Sequence, residues 1–193
     1  MRDDSNDLER RTVLLSAAGF TLAGRIAVGT LPTGTRLEAA TPIPAGKPGE
    51  FDFLEGRWRI RHRMRKGAAW DEFSGEATCW SILGGVGSIE ELRIPARDFS
   101  GLGLRLLDVE KRVWSDFWVN AKSGVLVSPG VTGGFQDGVG LFLADDVDGD
   151  RPIKVRGVWD HITRTSHRWR QGLSRDGGKT WDESWLMEWS RVA

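Results

Sequence analysis

The chain has 193 residues, 27 of them basic and 27 acidic, for a formal net charge of zero. One domain is the expected count, and the charge balance leaves no net electrostatic attraction to drive non-specific binding to nucleic acid or a membrane surface. Cys79 is the single cysteine, which excludes an internal disulfide and a Cys-rich metal site.

At the N-terminus, Glu9-Arg10-Arg11-Thr12-Val13-Leu14-Leu15 precedes a weakly apolar stretch over 16–31 that is rich in Ala and Gly. This resembles a twin-arginine export signal: paired Arg, a hydrophobic residue soon after, and a modest apolar region. Arg25 interrupts that region, Asp3, Asp4, Asp7 and Glu9 make the leader acidic, and no Ala-x-Ala follows. Ile43-Pro44-Ala45 is the best small-residue cleavage candidate, which would start the mature chain near Gly46. An amphipathic N-terminal helix or a mis-assigned start is the alternative reading. With Arg25 in place, the roughly 18 uninterrupted apolar residues of a permanent transmembrane helix are missing. Residues 1–45 therefore read as a signal-like leader with a Pro/Gly linker, and residues 46–193 as the folded domain. The expected location is periplasmic or secreted, and cytoplasmic if the leader is not processed.

The domain opens on Phe51-Asp52-Phe53-Leu54-Glu55-Gly56-Arg57-Trp58. Trp58, Ile60, His62 and Met64 alternate with Arg57, Arg59, Arg61, Arg63 and Arg65. A period of two is the pattern of a half-buried strand, apolar side inward and arginines in water or over neighbouring aromatics. Further strands are predicted over 73–80, 86–94, 102–108, 112–119, 133–136, 139–144, 153–159, 166–173 and 181–191. The turns between them are Gly84-Gly85, Val109-Glu110-Lys111 and Asp137-Gly138, the last a tight-hairpin signal. Residues 31–50 read as linker, and 145–150 as a solvated acidic loop that lacks the remaining ligands of a calcium site. Short strands at regular spacing, with no helical period after the leader, predict an all-β fold. Its expected form is a single antiparallel up-and-down barrel of about 8–10 strands.

Near the C-terminus, Ser174-Arg175-Asp176-Gly177-Gly178-Lys179-Thr180-Trp181 matches the Asp-box pattern. In that pattern Asp and Thr side chains bond the turn backbone while Trp packs against it. It occurs once, whereas a propeller needs a copy per blade, so it predicts a hairpin and not a glycosidase.

Gly56-Arg57-Trp58 resembles the Gly-x-Trp that opens lipocalins and their calycin relatives, in which the Trp closes one barrel end against a basic residue of the last strand. Arg191 stands where that partner would be. The chain is more specifically similar to a group of bacterial lipocalin-like barrels. They share Phe-Asp-Phe-Leu-x-Gly-x-Trp, a central Gly-rich turn, Phe-x-Asp-Gly-x-Gly and the Ser-x-Asp-Gly-Gly-Lys-Thr-Trp hairpin. The resemblance spans 51–192 and implies the fold; it implies no shared reaction.

Ten tryptophans against no tyrosine exceed what a core of this size requires. The expected function is binding of a small apolar or aromatic molecule in a Trp-lined cavity. Candidate ligand-binding residues are Trp80, Trp118, Asp116, Trp159, Trp169, Gln171 and Trp185. The alternative is a cofactor-independent lyase, isomerase or hydratase with His62 and Glu90 as acid and base; a third is a structural barrel. Val86, Leu92 and Ile94 set the phase that turns Glu90 inward, where a carboxylate needs a partner. Arg105 and Arg156 are the candidates, yet Leu104 and Leu106 set Arg105 outward, and Ile153, Val155 and Trp159 do the same for Arg156. Asp116 lies on the Trp114–Trp118 face, whose phase the pattern leaves open. His62, His161 and His167 have no ligand-motif spacing, so no metal or other cofactor is expected. The expected partner is a small molecule, without nucleic acid or stable membrane insertion, and with a homodimer left open.

Overall fold

A computed structural model describes residues 43–192; the paired arginines and residues 1–42 of the expected signal-like leader lie outside the described residues. The ten strands are β1 (Gly56–Lys66), β2 (Ala69–Ile82), β3 (Gly87–Ile94), β4 (Phe99–Asp108), β5 (Val113–Asn120), β6 (Val131–Gln136), β7 (Val139–Asp148), β8 (Arg151–Asp160), β9 (Ser166–Ser174) and β10 (Asp182–Arg191). Each pairs antiparallel with the next, and β10 closes on β1, giving an up-and-down barrel without edges. Closure gives every strand a partner on both sides, which an open sheet cannot do. Among the described residues no helix is long and apolar enough to cross a membrane.

The period-two pattern of β1 is realised in full. Trp58, Ile60, His62 and Met64 are buried, while Arg61 pairs with Glu72 at 2.7 Å on the outside. Arg63 and Arg65 lie over Trp70, 5.1 and 4.7 Å from its ring centre. The hairpin at Asp137-Gly138 forms with both residues at positive φ, 52° and 77°, the conformation for which Asp-Gly is suited. Two expectations are corrected. The predicted acidic loop is strand through Asp148, because Asp145 pairs with Lys154 and Asp148 with Arg175. The last part of the predicted linker is docked: Gly46 N–H donates to the Arg112 carbonyl, Gly49 N–H to that of Gly85, and Trp114 Nε1 to Glu50 Oε2.

These contacts lay residues 46–55 across one end of the barrel. A 3-10 turn, Asp52–Leu54, follows, placing Phe51 and Leu54 in the core. Arg191 closes this end, with its guanidinium 4.2 Å from the centre of the Trp58 ring. It also donates to the carbonyls of Phe53, Glu55 and Arg164. A guanidinium over an indole contributes about 0.5–2 kcal/mol according to its desolvation. The Asp-box hairpin is formed as expected. Asp176 accepts from the Lys179 and Thr180 amides and the Thr180 hydroxyl, and Trp181 Nε1 donates to the Gly178 carbonyl.

Candidate functional site

Inside the barrel lies a cavity of about 80 Å³, bordered by β3–β10 and by Val127 and Pro129 of the β5–β6 connection. Its walls are mostly aromatic. Trp118, Trp159, Trp169 and Trp185, all expected there, line it, and so do Trp189, Leu92 and Met187. Trp118 stacks on Phe99 with ring centres 6.3 Å apart. It can lie there because Gly101 faces it: a Cβ on that glycine would come 2.2 Å from Trp118.

Three charged side chains reach the cavity: Glu90, Arg105 and Asp116. Glu90 points inward, as its strand phase predicts, and accepts from Arg105 Nη2 at 2.5 Å. Arg105 is a correction, for it is buried and not outward. On β4 the inward face is Phe99, Gly101, Gly103, Arg105 and Leu107, while Leu102, Leu104 and Leu106 are the half-buried outer face. The two glycines leave the space that a guanidinium needs. Gly103 sits opposite Glu90 in the ladder, and a Cβ on it would approach Arg105 to 3.0 Å. Arg105 therefore lies over a residue without a side chain to reach Glu90. The signal was present as Gly-x-Gly-x-Arg on alternate positions, a small-residue face holding one large polar group.

Asp116 stands directly opposite Arg105 across the β4–β5 ladder, 3.3 Å from its Nε. This settles the open phase of β5: Trp114, Asp116 and Trp118 face inward. The side-chain exposures of Glu90 and Arg105 are 3% and 5%, against 23% for Asp116, so Asp116 is the most accessible member of the triad. Burial pushes the Asp116 carboxyl up to about 6, with Arg105 drawing it back down and Glu90 adding to the rise. Burial also works against the Arg105 cation, but Asp116 and Glu90 outweigh it and hold its pKa above the ordinary value.

His62 is buried and does not line the cavity. It stacks on Phe73 at 4.8 Å, and its Nδ1 accepts from Trp185 Nε1 at 3.1 Å. An indole can only donate, so the neutral ring carries its proton on Nε2, which has no partner and faces Gly75. Burial lowers its pKa to about 3. His62 and Glu90 thus sit in separate places, one behind the aromatic wall and one in the cavity. Gln171 also lies outside the lining, bonding Ser184 with its amide nitrogen. Trp80 is half-exposed on the outer face. The inward positions of β2 include Phe73, which stacks on His62, and the small residues Gly75, Ala77 and Cys79; a Cβ on Gly75 would come 2.4 Å from His62 Nε2. His167 is enclosed by Phe53, Trp58, Trp159 and Trp189, while His161 is exposed. Among the described residues no cluster of His, Cys, Asp or Glu could hold a metal ion.

No family model and no curated protein matches the chain. A solved structure to which it is similar is a protein of unknown function from the DUF3598 family of Nostoc punctiforme. The two share 15% identity with a TM-score of 0.43, over 80% of this chain and 53% of that one. The chain thus spans about half the length of that protein.

Proposed function

We propose that this barrel binds a small, largely apolar or aromatic molecule in its tryptophan-lined cavity. The observation that carries the reading is an aromatic cavity with one polar cluster at its wall. Apolar surface supplies affinity there, and a few fixed polar groups supply orientation. The enzymatic alternative, with His62 and Glu90 as acid and base, has less support, because His62 does not line the cavity.

The test is native mass spectrometry of protein purified from its own host, together with titration by nitrobenzene, a neutral one-ring quencher of tryptophan. A 1:1 adduct with quenched emission is expected. Val131→Trp, at the cavity rim, should weaken it at least tenfold while the far-ultraviolet spectrum is unchanged. No adduct and emission that no probe quenches would overturn the reading, and the tryptophans would then serve packing alone.

A further inference from the structure

The cavity presents an unequal charge count. One guanidinium, Arg105, faces two carboxylates, Glu90 and Asp116, and no other lining residue carries a charge. Groups able to donate are present nearby, but they are shut in. Arg105 Nε, which lies 3.3 Å from Asp116 as an ion pair only, Arg105 Nη1 and the indole nitrogens of Trp118, Trp159 and Trp189 have no hydrogen-bond partner and are themselves buried atoms. Of the three charged side chains, Asp116 presents the most surface to a ligand entering this space, 23% against 3% and 5% for Glu90 and Arg105. What it meets is the carboxylate of Asp116, the one triad member with substantial exposure, among indole rings.

We propose that the ligand carries a hydrogen-bond-donating cation, an organic ammonium group, which docks on Asp116 among Trp118, Trp159 and Trp169. This rests on the cavity-binding reading above and names the ligand class it would take. Aromatic rings favour such a cation through the negative faces of their quadrupoles, the more so where the site is desolvated. The surplus carboxylate supplies the countercharge, so that the buried cluster with its ligand sums to zero; an unbalanced buried charge is costly. An anionic ligand would add a third negative charge beside one guanidinium already shared by two partners.

The proton on Asp116 competes with the ligand. Its neighbours are Arg105 on β4 and Glu90 on β3, while β6, β7, β8, β9 and β10 contribute only uncharged residues to the cavity. A docked cation stabilises the carboxylate, so binding tightens as pH rises from 5 to 7.

The experiment compares three one-ring probes of similar size on the full chain: benzylammonium, benzyl alcohol and benzoate, by calorimetry at pH 5 and 7. Benzylammonium is expected to bind at least tenfold more tightly than benzyl alcohol at pH 7, with a smaller margin at pH 5, and benzoate least. Asp116→Asn should remove the margin and leave benzyl alcohol binding in place. Benzyl alcohol or benzoate binding as well as benzylammonium would overturn the inference while leaving the cavity as a binding site. Failure of all three would overturn both. The comparison on the unaltered protein stands even if Asp116→Asn does not fold.

Discussion

At the scale of single residues, the Glu90–Arg105–Asp116 triad is a buried charge cluster in which each member depends on its partners. Removing one partner from a buried ion pair leaves an uncompensated charge, at a cost of about 3–5 kcal/mol. Arg105→Leu should lose about that much stability in urea unfolding. Replacing all three by Met, Leu and Leu should recover most of it, since the attraction within such a cluster mainly offsets its own desolvation. Asp116 also gives a pH signature. An unfolded carboxyl titrates near about 3.9, whereas the folded one is raised to about 6. Between those values the folded state holds a proton that the unfolded state has lost. Stability from this group is therefore fullest below the unfolded value and falls as pH rises toward 6. The difference between the unaltered protein and Asp116→Asn should accordingly shift against the former from pH 4 to 7, by on the order of 2 kcal/mol.

At the scale of elements, the ladders are unequal. β1 and β2 share eleven register pairs, from Gly56↔Cys79 to Lys66↔Ala69. β5 and β6 share three: Trp114↔Gly133, Ser115↔Thr132 and Asp116↔Val131. Beyond them the chain turns back, with a single bridge between Val119 and Leu126. This seam borders the cavity, since Asp116, Trp118, Val127 and Val131 all line it. Local opening is easiest where the fewest contacts must break. In hydrogen exchange read by mass spectrometry, the amides of 117–136 should exchange ahead of those of β1 and β2. A bound cavity ligand should slow them most. Uniform protection around the barrel would contradict this.

At the scale of the whole molecule, two buried histidines make the barrel sensitive to acid. His62 and His167 are both lowered from 6.5 to about 3 by burial, and in His167 the Arg105 and Arg191 charges add to the effect. Between those pH values the unfolded chain binds protons that the folded barrel refuses, so stability falls as pH drops from 6.5 toward 3. His167→Phe, in its aromatic surround, should therefore gain over the unaltered protein progressively below pH 6.5. Denaturant midpoints measured at pH 7, 5.5 and 4 would show it. An equal difference at all three would mean that burial of His167 carries no proton cost.

Much of the fold was legible because alternation and turn chemistry are local properties. The face of β1 from Trp58 to Met64, the Asp137-Gly138 hairpin, the Asp-box turn and the inward phase of Glu90 all follow from neighbours within a few residues. The cavity was legible only in part. Alternation divides a strand into two faces, but which face turns inward depends on the volume that other strands deliver. Leu104 and Leu106 looked like core, yet Gly101 and Gly103 made the opposite face the one with room for Trp118 and Arg105. Trp80 looked like cavity wall, yet Ala77 and Cys79 hold the inner side of β2. The amino-acid sequence by itself determined the ten strands, their turns and the residues able to carry charge into an apolar interior. Only the tertiary structure decided that Glu90, Arg105 and Asp116 meet while His62 stands apart, because register across β3, β4 and β5 joins positions that no local pattern connects.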